Sequence, residues 1–236
     1  MKKTIPSSAA PADSADREER SGLVFAPSCE GYALIDYMGP GKKVAIPAEH
    51  NGLPVVAIGK GALSNKGLRE VSIPGTVAVI GHSALAWNDE LAGVSIPDGV
   101  VYIGELAFAG NNLQNVSIPD TVASIGNSAF TWNKLFDIVI GRGVASINGG
   151  AFMNNMISAV AIPENVFSVG LGVFSGNRIC GAIMPADVEI CNDESMGVYG
   201  ASFRKFYEAC GRRAGAYAFD GRKWAWVERF GGPQRR

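Results

Sequence analysis

Histidine is almost missing from this sequence. The two present, His50 and His82, have no cysteine or acidic cluster around them at metal-ligand spacing, so a zinc or similar site is not expected. Cysteine is sparse too. Cys29, Cys180, Cys191 and Cys210 form no C-x-x-C pair, which points to reduced thiols rather than a disulfide framework. No apolar run approaches the roughly 18 residues of a membrane-spanning helix. Charge of either sign is not in excess: 21 Lys+Arg against 22 Asp+Glu leave a net −1, which argues against nucleic acid or an anionic bilayer as partner. The opening residues, MKKTIPSSAAPADSADREER, carry basic Lys2 and Lys3 but lack the apolar core of an export signal. On these residues alone a flexible polar tail over 1–21 and a cytoplasmic location are expected.

Signatures of catalysis are equally thin. GPGKK at Gly39 lacks the Lys-Ser or Lys-Thr that completes a phosphate-binding loop. GLGVFSG at Gly170 has the outline of a dinucleotide fingerprint but falls in a slot that recurs through the chain. The carboxylate pairs Asp89–Glu90 and Asp193–Glu194 sit in loop-like stretches, where solvated charge is sufficient explanation. No catalytic residue, metal or cofactor is expected, and the chain is read as not an enzyme.

What is abundant is repetition. Ile73, Ile96, Ile118, Ile140 and Ile162, with Met184 in register, recur at intervals of 23, 22, 22, 22 and 22 residues. Seven residues after these stand Ile80, Ile103, Ile125, Ile147 and Val169. A small–large pair follows at Ala84–Leu85, Ala107–Phe108, Ala129–Phe130, Ala151–Phe152 and Val173–Phe174. Then come Asn88, Asn111, Asn133, Asn155 and Asn177, and shortly after each an aliphatic residue. A fixed period of this length means stacked coils, each burying its apolar face on the next. The V-x-I step alternates at period two, so each unit contributes a short strand with Val and Ile inward, ended by the proline that cannot donate to a ladder. Strands are expected around Val71, Val94, Val116, Ile138, Val160 and Ala182, side by side in one parallel sheet. The invariant position of asparagine predicts a buried amide bonding the backbone of neighbouring coils.

These units resemble the BspA-type leucine-rich repeats over roughly Ile46 to Ile190. The ends are similar as well: GYALIDYMGPGKKVAIPAEHNGLPVVAIG resembles the N-terminal segment of treponemal members, and FRKFYEACGRRAGAYAFDGRKWAWVERF their C-terminal cap. Gly141 in place of proline, Asn148 in place of glycine and Val173 in place of alanine depart from the pattern, so irregularity is expected in repeats four to six. The resemblance implies an α/β-type leucine-rich repeat solenoid of about six coils of 22–23 residues, capped at both ends. It implies protein interaction, often host attachment, and no catalytic residues; surface or periplasmic location is as compatible with it as cytoplasmic.

The expected organisation is a tail at 1–21, an N-terminal cap at 22–45, the solenoid at 46–190 and a helix-plus-hairpin cap at 191–236. In that last segment Phe203, Phe206 and Tyr207 give one aromatic helix face, and Asp220–Gly221 marks a two-residue hairpin turn between GAYAF and KWAWV. An independent aromatic binding module is the alternative to a cap.

The register also fixes which strand positions point outward. The first three rows are polar or small, for example Arg69, Glu70 and Ser72. The later rows carry Phe136, Val139, Ala159, Ala161 and Ile183, an apolar cluster with no core to explain it. These five residues are the candidate contact site, for a protein partner or for a hydrophobic ligand or peptide anchor in a pocket. The competing expectation is that the C-terminal helix folds back and fills it with Phe203 and Phe206. Trp87 and Trp132, at equivalent places bracketing Gly110, either shield the coil edge or form a second contact surface. A monomer or weak oligomer is expected.

Overall fold

The computed structural model describes residues 22–198 and 200–227. The tail expected at 1–21 lies outside the described residues, as do residues 228–236 of the expected C-terminal segment. The described chain opens with an antiparallel hairpin, β1 (Leu23–Ser28) and β2 (Gly31–Tyr37), then β3 (Lys43–Ala45), β4 (Glu49–His50) and β5 (Leu53–Ile58). The repeats contribute two short strands per coil on different faces. One set is β6 (Glu70–Ser72), β9 (Asn115–Ser117), β11 (Asp137–Val139), β13 (Ala159–Ala161) and β15 (Gly181–Met184). The other is β7 (Val79–Ile80), β8 (Tyr102–Ile103), β10 (Ser124–Ile125), β12 (Ser146–Ile147), β14 (Ser168–Val169) and β16 (Glu189–Ile190). Helix α1 (Gly200–Ala209) and the hairpin β17 (Gly215–Phe219)–β18 (Trp224–Val227) complete the described chain. Among the described residues helix is confined to α1; the repeats are strand and turn.

The second set forms the unbroken element. β2-β5-β7-β8-β10-β12-β14-β16 run parallel in that order, with Ile58, Ile80, Ile103, Ile125, Ile147, Val169 and Ile190 in register, so the stack makes about seven turns. The V-x-I face, expected to be one sheet, is divided. β3 pairs β6, β9 pairs β11, and β13 pairs β15, but no backbone hydrogen bond joins β11 to β13 among the described residues. The strand expected at Val94 does not form, although Gly181, at the repeat position of Gly93, is paired within β15. Part of the expected irregularity does fall between repeats four and five, after Gly141 replaces the proline.

Inside the coils two columns do most of the packing. Phe108, Phe130, Phe152 and Phe174 stack with ring centroids 5.0, 5.4 and 5.7 Å apart and planes within 7° of parallel. Beside them, the asparagines tie each coil to the one before. Asn133 Nδ2 donates to Phe108 O (2.8 Å) and Phe130 O (3.1 Å), while its Oδ1 accepts from Leu113 N (3.1 Å). Asn155 and Asn177 repeat the pattern one and two coils on. These carbonyls and amides are buried at turns that no sheet satisfies, and an unmet buried backbone group costs about 1–3 kcal/mol.

At the far end β17 adds antiparallel to β15, setting Tyr217 opposite Ala182. Tyr217, Phe203, Tyr207 and Trp224 form one buried aromatic cluster, in which Phe203 and Tyr207 lie stacked and meet Tyr217 edge to face. Tyr207 Oη donates to Pro185 O (2.7 Å) and accepts from Val188 N (3.2 Å), fastening α1 to the last coil. The β17–β18 loop has four residues rather than two, because Asp220 Oδ1 accepts from both Arg222 N and Lys223 N (2.9 Å each) and draws them into the turn.

Burial pushes the Tyr217 phenol up to about 12, with the neighbouring Tyr207 and Cys210 adding to the shift. A folded-state value above the unfolded one means that its stabilisation is whole below about pH 10 and lost as pH rises towards 12. A decline in stability over that window is expected in alkaline urea titrations. Tyr217→Phe, which also gives up the hydrogen bond to Arg213 O, is expected to flatten it. An equal decline in that variant would assign the effect to other groups.

Candidate interaction surface

The apolar outward cluster is where the register placed it. Phe136 is 57% exposed, Val139 57% and Ile183 43%, with Ala159 and Ala161 exposed between them. β11 and β13 carry Val139 and Ala161 at equivalent places, and β13–β15 pairing sets Ala161 beside Ile183. The C-terminal helix does not cover them: Phe203 is buried in the aromatic cluster and Phe206 packs against Tyr217.

Sequence reasoning missed how far this row runs. Ile183 lies opposite Ala216, and Ala216 opposite Val227, so Ala161, Ile183, Ala216 and Val227 make one line across the four-stranded sheet, with Val139 of the neighbouring β11 beside Ala161 across the gap. Ala159, Gly181, Ala218 and Ala225 make a second line of small residues beside it. The only available signal was the period-two alternation of the hairpin, which does not say which strand it joins.

Along the proline end of these strands the surface dips. A depression of about 240 Å³ lies between Val139, Ala161, Ile162 and Pro163. It shares Arg142 and Ile162 with a second, of about 420 Å³, bounded by Glu164 and Asn165. A third, of about 430 Å³, follows from Glu164 past Ile183 to Gly215. Together they make an open trough with one basic and one acidic side chain in its wall. It is not an enclosed cavity of the kind a hydrophobic small molecule would be expected to fill.

The other end of the same face is charged. Glu90 receives Lys42 Nζ at 2.5 Å and is also paired with Arg69, while Lys43 Nζ meets Glu70 at 2.6 Å. Arg69 and Lys42 hold the Glu90 carboxyl below the usual carboxylate range. Lys66, donating to Asp36 at 2.8 Å, lowers Asp36 likewise. All of these groups are solvent-accessible, so their pairing adds little to stability.

Trp87 and Trp132 stand on a different edge, 52% and 59% exposed. Among the described residues there is no group of three or more His, Cys, Asp or Glu able to hold a metal ion, and no helix long and apolar enough to cross a membrane. The four cysteines are free.

Residues 56–180 match the BspA type leucine rich repeat region in six copies. The chain belongs to this family. Two solved structures agree on the fold of this BspA-type chain. A leucine rich repeat protein of T. pallidum superposes with a TM-score of 0.50 at 21% identity, covering 78% of this chain and 92% of that one. The pneumococcal vaccine antigen PcpA gives 0.55 at 15% identity, over 74% of this chain and 49% of that one. A leucine rich cell surface protein from Faecalibacterium prausnitzii gives 0.49 at 21%, over 67% and 53%. The BspA-type chain thus spans about half the length of the last two. No curated protein gives a significant match. Repeats of this family are binding modules, typically without enzymatic activity, and protein interaction is the role the family suggests.

Proposed function

We propose that this BspA-type solenoid attaches to a protein partner through the sheet face of its later repeats. The observation that carries the reading is the apolar row from Ala161 through Ile183 to Ala216 and Val227, extended by exposed Val139 on the neighbouring strand. Open apolar clusters of this kind on a folded chain are uncommon without a use, since each Å² withdrawn from water is worth roughly 25 cal/mol. Arg142 and Glu164 at its rim, and the ion-paired Lys42–Arg69–Glu90 group further along the same face, supply polar contacts that fix orientation and register.

Val139→Asp and Ala161→Glu test this directly. Both side chains are exposed, so melting temperature is expected to move by no more than about 2 °C. Binding of a hydrophobic dye, and of any partner recovered by the parent chain, is expected to be lost in both variants. Undiminished binding with the fold intact would move the contact surface elsewhere.

A further inference from the structure

Trp87 and Trp132 occupy one position of the repeat, which in other coils is Asn65, Gly110, Asn154 and Gly176. The backbone is left-handed at all six, with φ between 54° and 77°. Asparagine and glycine accept that conformation at least cost, whereas a bulky side chain there is an outlier. The fold therefore gains nothing in backbone energy from two tryptophans at this place. Nor are their rings used in the core: both are about half exposed, and neither stacks on another ring among the described residues. Trp87 lies against the backbone of Gly110, where an added Cβ would come within 2.0 Å of Cε3. The glycine is what lets the indole lie down across the coil edge.

Spacing identifies what such a pair can read. Adjacent coils stand about 4.8 Å apart, so Trp87 and Trp132, two coils apart, repeat at about 10 Å. A polyproline II helix advances about 9.3 Å in its three-residue turn. Its backbone carbonyls are free to accept hydrogen bonds, which an indole Nε1–H supplies.

We propose that the Trp87–Gly110–Trp132 edge docks a proline-rich segment of a partner protein, with prolines three residues apart stacking on the two indoles. The family's role in protein interaction favours a peptide here over a glycan, and the net charge of −1 disfavours nucleobases. This strip is separate from the apolar sheet face, so the two proposals stand or fall independently.

Calorimetric titration of the full chain with a blocked decaproline peptide tests the assignment, with a Gly-Ser peptide of equal length and cellohexaose as comparisons. Trp87→Asn and Trp132→Asn are the informative variants, since Asn65 and Asn154 already hold the same backbone conformation. Saturable binding of decaproline alone is expected. Each variant is expected to bind at least tenfold more weakly while melting at the parent temperature or above. Absence of saturable binding, equal binding of the Gly-Ser peptide, binding of cellohexaose, or unchanged affinity in either variant would overturn the proposal. So would loss of the melting transition in an asparagine variant, which would make the indoles supports of the fold.

Discussion

Deleting residues 199–236 is expected to abolish cooperative melting and leave a chain that aggregates. The deletion removes α1 and both strands of the β17–β18 hairpin, and with them Phe203, Tyr207, Tyr217 and Trp224, all buried. Full burial of one such side chain is worth on the order of 1.5–3 kcal/mol, so four together approach the whole 5–15 kcal/mol margin of a typical domain. The loss is also geometric. β15 would present an unpaired edge beside Ala182 and Met184, both now buried, and an open apolar edge is a template for pairing with other chains. Pro185 O and Val188 N would lose Tyr207 Oη. Size-exclusion chromatography and calorimetry decide the matter. A shortened chain that elutes unchanged and melts sharply, yet no longer binds its partner, would make the segment a recognition module. We propose that it is a cap.

Phe130→Ala is expected to cost about 3–5 kcal/mol, a fall of roughly 10–15 °C in melting temperature. Phe130 is fully buried and has a parallel ring on each side, 5.0 Å from Phe108 and 5.4 Å from Phe152. Its removal therefore opens a hole within the column rather than at its end, and the backbone around it has little freedom to close in. The carbonyl of Phe130 accepts from Asn133 in its own coil and from Asn155 in the next, which ties the two coils together. Phe130→Leu, by contrast, places there the residue found at Leu63 and Leu85 in the same column and is expected to cost less than half as much. Denaturant melts of the two variants check this; equal losses would show that ring stacking, not filled volume, holds the column.

Much of this architecture was legible because each inward position recurs at a fixed offset. A buried Phe108, Asn111 or Ile125 is announced by its counterparts one coil before and after. The parallel ladder through Ile80 and Ile125 was not foreseen, since a two-residue strand such as Ser124–Ile125 is too short to show an alternation of its own. The strand expected at Val94 failed for the opposite reason: its V-x-I pattern is intact, but pairing depends on what stands beside it. At the candidate surface, Val139, Ala161 and Ile183 followed from register alone. Ala216 and Val227 did not, because they join the row through antiparallel pairing across more than 30 residues of chain. Non-local pairing leaves no periodic mark in a sequence.

The gaps on the V-x-I face have a mechanical meaning. Backbone bonds are absent there between β6 and the coil of Val94, and again between β11 and β13, while the ladder from Ile58 to Ile190 is unbroken. The coils are bound like the pages of a book, sewn along the strand ladder and again along the phenylalanine and asparagine turns, and left unstitched at two places on the V-x-I margin. At those two places neighbouring coils are held by side-chain packing and by the turns on either side, not by strand pairing. The margin with these gaps is the one that carries the apolar row, so the proposed partner would dock where the fewest strand bonds hold neighbouring coils to one curvature.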